Sequence, residues 1–114
     1  MPAAEEVIQK LDECINAAKA VFEQEYERMA LARTSREGPI GFSSTKQLTQ
    51  QCLNCGRAVV DYAIFGRWVE GTQEGEANVS WKCSTCQNRF VFRGSRSTVI
   101  RQIVYLSNRP KKAA

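Results

Sequence analysis

Histidine is absent from this chain of 114 residues. That removes the commonest metal-binding base and the commonest catalytic acid or base near neutral pH. No run of about 18 apolar residues occurs, so no membrane-spanning helix is expected and no membrane partner. Residues 1–30 lack the basic-then-apolar pattern of a secretory signal. The expectation is an intracellular protein, cytoplasmic or nuclear, rather than a secreted one. There is no Gly-rich phosphate loop, and no internal repeat beyond a paired cysteine motif. A catalytic role is therefore not expected.

What is present is ordinary in bulk and uneven in layout. Charged residues make up 25% and apolar ones 43%, as in soluble proteins. A chain this short buries a limited core, so a metal staple would contribute substantially. The net charge is +4. Residues 1–34 carry seven acids and four bases, a net of −3. Residues 89–114 carry seven bases and no acid: Arg89, Arg93, Arg96, Arg101, Arg109, Lys111 and Lys112. A basic end of this kind suggests a polyanion partner, most often nucleic acid.

Residues 1–36 form a helical segment, with the helix expected over 4–34. Ile8, Leu11, Ile15, Ala18, Phe22 and Met29 recur at three- and four-residue steps and give one apolar stripe. Glu5 and Glu6 complement the dipole of the first turn. Such a helix either packs on the rest of its own chain or associates with a second copy or a protein partner. Residues 37–51, with Gly38, Pro39, Gly41 and the hydroxyls Ser43, Ser44 and Thr45, read as a linker. Residues 52–93 read as β structure, with a turn around Gly71 and Gly75 and alternation through Val79, Trp81 and Cys83, then Phe90 and Phe92. Residues 94–107 fit a short helix or a strand; the stripe of Val99, Ile100, Ile103 and Val104 favours a helix, with Ser97 as a cap. Residues 108–114 read as a disordered basic tail. The fold class is α+β: a long N-terminal helix, a small antiparallel β unit and a short C-terminal element.

Five cysteines fit a full disulfide framework poorly. Four of them make two C-x-x-C pairs, Cys52-Leu-Asn-Cys55 and Cys83-Ser-Thr-Cys86. Two intervening residues let a tight turn bring both sulfurs to one ion, and two such knuckles complete the tetrahedral thiolate shell that zinc prefers. The 27 residues between Cys55 and Cys83 suffice for a hairpin that returns the second knuckle to the first. Gly56 follows Cys55, where a permissive backbone lets amides turn toward the thiolates; Gln87 holds the matching place. An iron–sulfur cluster and a pair of disulfides are the competing readings. Four cysteine ligands leave no open position for water, so a single zinc would be structural. Cys14, between Leu11 and Ile15, reads as a small buried apolar residue.

The knuckles, together with Trp81 two residues before the third cysteine and Phe90 four residues after the fourth, resemble the zinc ribbons of transcription factors and RNA polymerase subunits. They are most similar to the ribbon of the transcript-cleavage elongation factors. The resemblance covers about 40 residues and implies a zinc-held antiparallel hairpin that works on transcription machinery. Those factors carry adjacent Asp and Glu at the hairpin tip. Here Glu74 and Glu76 are split by Gly75, so the cleavage role is not carried over.

Zinc ribbons of this kind often meet nucleic acid through an exposed sheet face. Arg67, Trp68, Lys82, Arg89 and Arg93 lie on the expected strands and are candidate contacts, with the aromatic stacking on a base. Trp81 and Phe90 are expected in the core. Arg96, Arg101, Arg109, Lys111 and Lys112 extend the basic surface, and Arg109-Pro-Lys-Lys112 also fits a nuclear-import pattern. The layout of one helical segment and one cysteine-only site also resembles compact virus-encoded regulators. The sequence thus points to a small zinc-ribbon regulatory protein that binds RNA or DNA. The alternative is a zinc-stabilised adaptor that docks on a machine such as RNA polymerase or the ribosome.

Overall fold

Alternation of buried and exposed residues along the two central strands decides the architecture. The computed structural model describes residues 3–31 and 40–109. In chain order it contains α1 (Ala3–Leu31), β1 (Gly41–Gln51), β2 (Val59–Val69), β3 (Glu76–Cys83), β4 (Asn88–Ser95) and α2 (Arg96–Asn108). The strands form one antiparallel meander in the order β1-β2-β3-β4. The protein is α+β, as the sequence implies.

Both helices cover one face of the sheet. α1 packs on β1 and β2, α2 packs on β4 and β3, and the helices touch. The covered face presents Val60, Tyr62 and Ile64 from β2 and Ala77, Val79, Trp81 and Cys83 from β3, all buried. These residues share one core with Val7 and Leu11 of α1 and Val99, Ile103 and Leu106 of α2. The other face carries Asp61, Ala63, Arg67, Lys82, Arg89, Val91 and Arg93, all exposed.

The stripe on α1 is slightly rotated from the expected one. Its buried residues are Ala4, Val7, Leu11, Cys14, Ile15 and Ala18. Beyond Ala18 no described side chain of α1 is buried, and Val21 and Tyr26 are exposed. The first half of the helix therefore packs on its own chain. The expected helix positions 32–34, and the rest of the segment to 36, lie outside the described residues.

Close approach of α1 to the sheet depends on Gly66. A Cβ built there would lie 2.6 Å from the Ile15 amide nitrogen and 2.7 Å from the Cys14 carbonyl carbon. Glycine at this buried point lets helix backbone rest directly on strand backbone. Cys14 is fully buried beside it, as expected, and burial pushes its thiol pKa up.

The linker expected over 37–51 is corrected from Gly41 onward. Gly41–Gln51 is an eleven-residue edge strand paired with β2 along its whole length. None of its side chains is fully buried; Phe42, Ser44, Lys46, Leu48 and Gln50 face α1 and are half-covered. Lys46 reaches Glu13 of α1 at 2.8 Å. With polar residues on both faces, the strand shows no apolar alternation, and its pairing to β2 holds it instead. The β unit therefore starts at 41 rather than 52.

The helical reading of 94–107 matches α2 from Arg96 onward; Gly94 and Ser95 end β4 instead, and the cap is Ser95 rather than Ser97. The Ser95 hydroxyl accepts from the Thr98 amide at 3.3 Å, satisfying an amide of the first turn. Ser97 is held from outside the helix. Its hydroxyl and amide donate to the Glu74 carboxylate at 2.7 and 3.3 Å. The adjacent Arg96 makes two bonds to Asp12 of α1, 2.6 and 3.1 Å long. The start of α2 is thus tied both to the β2–β3 turn and to α1. Asn108, assigned to a disordered tail, ends this helix, and residues 110–114 lie outside the described chain.

Candidate metal centre and the basic sheet face

The two cysteine pairs meet at one end of the sheet. Cys52 and Cys55 lie in the connection between β1 and β2. Cys83 ends β3, and Cys86 lies in the tight turn to β4. The four sulfurs lie within 4.8 Å of one another. Cys52 Sγ is 4.0 Å from Cys86 Sγ, and Cys55 Sγ is 3.7 Å from Cys83 Sγ. These gaps are far longer than a disulfide bond of about 2.05 Å. All five cysteines are free thiols. A tetrahedron with metal–sulfur bonds of about 2.3 Å has edges of roughly 3.8 Å, so the cluster has the dimensions of a four-thiolate shell. These four cysteines can hold a metal ion.

Each knuckle is shaped by its own backbone. The Gly56 amide donates to the Cys52 carbonyl at 2.8 Å, and the Cys52 amide donates to the Ala58 carbonyl at 2.8 Å. In the second knuckle the Cys86 amide points at Cys83 Sγ, 3.5 Å away. The residue after each pair is left-handed: Gly56 has φ 69° and Gln87 has φ 58°. The two turns therefore share one backbone plan although only one carries glycine. Gln87 is the sole non-glycine residue with positive φ among the described residues.

The surroundings favour thiolates. Burial pushes the Cys55 thiol up, but the amides of Arg57 and Ala58 and the thiols of Cys83 and Cys52 outweigh it and bring the pKa to about 6. Hydrogen bonds to the charged sulfur produce this direction. Trp81 Nε1–H donates to Cys52 Sγ at 3.4 Å. Cys52 and Cys83 are buried, whereas Cys55 and Cys86 are half-exposed.

Tyr62 supports the first knuckle from below and was not among the expected site residues. Its hydroxyl donates to the Gln51 carbonyl at 2.7 Å and accepts from the Leu53 amide at 2.9 Å, bracketing Cys52. Its ring lies 4.8 Å from that of Trp81, centroid to centroid, and its pKa is raised by burial. The signal available in the sequence was parity: Tyr62 falls in step with Val60 and Ile64.

The expected basic surface divides into three groups. Arg67, Lys82, Arg89 and Arg93 share the uncovered face of the sheet. Lys82 and Arg89 are directly opposite across β3 and β4. Arg67 pairs across strands with Glu76, 3.8 Å away. Trp68, expected as an exposed stacking aromatic, instead lies half-buried against the core on the opposite face. Lys19 of α1 lies 4.9 Å above its ring. It shares the inward parity of Tyr62 and Ile64, which places it under α1 and away from the basic face. Arg96 is committed to Asp12, and Arg101 and Arg109 are exposed along and just after α2. Lys111 and Lys112 lie outside the described residues.

The two hairpin-tip carboxylates have separate partners. Glu74 is held by Ser97, whose hydroxyl bond, with Ser95 and the Ser97 amide, keeps the carboxyl below its usual range. Glu76 faces Arg67. No described helix is long and apolar enough to cross a membrane. Compared with known proteins, the chain matches no family model, no curated protein and no solved structure.

Proposed function

We propose that this chain is a zinc-stabilised regulatory protein that binds nucleic acid through the uncovered face of its sheet. One structural Zn2+ sits on Cys52, Cys55, Cys83 and Cys86. A set of four thiolates with no histidine or carboxylate favours zinc over harder ions and leaves no coordination site for catalysis. Binding of this kind contributes on the order of 10 kcal/mol to folding.

The observation that carries the nucleic-acid reading is the cross-strand pair of Lys82 and Arg89, with Arg93 further along β4. Like charges directly opposite on a sheet destabilise it. Among the described residues none of the three makes an ion pair with an acid. No acidic residue follows Glu76 in the chain. A polyanion laid across β3 and β4 relieves that repulsion, and releasing its counterions supplies the driving force.

Fluorescence anisotropy with short labelled RNA and DNA tests this reading. Affinity is expected to fall steeply with salt. Replacing Lys82, Arg89 and Arg93 by Gln is expected to flatten the salt slope by roughly 0.7–0.9 per charge removed. Absence of binding at low salt, or affinity indifferent to salt, would remove the proposal.

A second reading, an adaptor docking on a protein machine or pairing with a second copy, is favoured by α1 beyond Ala18, where Val21 is exposed and Phe22 half-covered. A pull-down that survives nuclease treatment would favour it.

A further inference from the structure

Strand β4 is an edge of the sheet, and the basic residues flank it on both sides. Arg89 and Arg93 point to the uncovered face. On the other side, between β4 and α2, runs an apolar groove of about 580 Å³ lined by Phe90, Phe92, Tyr105 and Leu106, with Arg101 and Arg109 also in its lining. Phe90 and Arg109 also line a separate polar cavity of about 520 Å³ beside Cys55 and Cys86. The backs of the phenylalanine rings rest on Trp81, Phe90 stacked at 4.8 Å and Phe92 edge-on at 5.3 Å. Their other sides are left half-open. Tyr105 is 71% exposed, unusual for an aromatic ring on a short helix that also supplies buried core residues.

We propose that this groove receives unpaired bases, so that the ligand is single-stranded nucleic acid. The inference rests on the nucleic-acid reading above and specifies its substrate class. Aromatic rings held rigid from behind offer faces on which bases of any identity stack, and neighbouring arginines neutralise phosphate or stack in turn. A duplex hides its bases inside its own stack and can meet only the cations. Along β4, Arg89 and Arg93 alternate with Phe90 and Phe92, so the basic face and the groove are the two sides of one edge strand. A strand crossing the β4 edge therefore sets phosphates on the basic face and bases in the groove. Charge complementarity decides the occupant: the two charged side chains at the groove, Arg101 and Arg109, are both cationic.

The test uses the full, metal-loaded chain. Anisotropy titrations compare oligouridine and oligothymidine with a duplex of matched length, for the wild type and for Tyr105→Ala. Tyr105 is largely outside the core, and zinc content and circular dichroism verify that the variant is folded. The wild type is expected to bind the single strands more tightly than the duplex. Tyr105→Ala is expected to lose about 5- to 150-fold in single-strand affinity, with the salt slope and duplex binding unchanged. Wild-type single-strand affinity in the variant, or equal wild-type affinity for duplex and single strand, would overturn the groove while leaving the nucleic-acid reading intact. Failure of the wild type to bind any of the probes at low salt would overturn both. If an acidic, aromatic peptide binds in a Tyr105-dependent way and the single strands do not, the groove is a peptide site and the inference is wrong.

Discussion

Trp81 Nε1–H lies 3.4 Å from Cys52 Sγ, so the largest aromatic ring of the core donates directly to one of the four clustered sulfurs. The same ring stacks on Phe90 and tilts against Tyr62. The metal centre and the apolar core are thus mechanically one unit. Replacing Trp81 by Phe keeps most of the packing and removes this one donor. A hydrogen bond to a charged acceptor contributes about 1.5–3 kcal/mol. The variant should yield zinc to a competing chelator at lower chelator concentration than the wild type. An unchanged competition curve would show that the indole contributes packing alone.

Metal removal should affect the sheet as a whole. The Cys52–Cys55 turn joins β1 to β2, and the Cys83–Cys86 turn joins β3 to β4, so chelation releases all four strands at one end. Circular dichroism after complete chelation is expected to show loss of β structure, with tryptophan fluorescence shifting to the red as Trp81 becomes wet. A metal-free chain that keeps its native spectrum and melting temperature would contradict this.

Gly66 is the point where α1 rests on the sheet. Gly66→Ala would drive a methyl group to within 2.6 Å of the Ile15 amide nitrogen, which belongs to helix backbone and cannot rotate away. The expected cost is about 3 kcal/mol, at the upper end for overpacking, seen as a lower urea midpoint. A loss under about 0.5 kcal/mol, within the range of surface substitutions, would mean that α1 shifts freely on the sheet.

Gln87 adopts φ 58° in the place where the first knuckle has Gly56. A non-glycine residue in this region costs about 1–2 kcal/mol, partly offset because glycine loses more chain entropy on folding. Gln87→Gly should therefore stabilise the folded chain by about 0.5 kcal/mol without weakening metal binding. A lower melting temperature would show that the glutamine side chain holds the turn.

Acid should release the metal. The folded chain keeps Cys55 as thiolate down to about pH 6, against an ordinary value of 9.0. The stabilisation from this group is full above about pH 9 and is lost as pH falls through about 6. Metal retention has the same sign, because protons compete for the sulfurs. Zinc release followed with a colorimetric chelator should rise as the pH is lowered. Release that increases toward alkaline pH would contradict the assignment.

The parts of this protein legible in its sequence are those fixed by local spacing. The double C-x-x-C, the stripe of α1, and the alternation of Val79, Trp81 and Cys83 each need only neighbouring residues to be read. β1 was not legible because its inward positions hold Ser44, Lys46 and Gln50, and its strand character comes from pairing with β2. Trp68 stands next to Arg67 in the sequence, yet counting by twos from Tyr62 puts it under α1 and away from the basic face. Ser95 and Ser97 both precede the α2 stripe; the Thr98 amide bonds Ser95, while the Glu74 carboxylate of a distant turn engages Ser97. The bracket that Tyr62 forms around Cys52 depends on the β1–β2 register, which no local pattern encodes.

Zinc K-edge X-ray absorption on protein purified without added metal tests the central claim most directly. The account predicts one zinc per chain surrounded by sulfur alone, four neighbours at about 2.3 Å. A shell containing nitrogen or oxygen, or a folded chain carrying no metal, would contradict it.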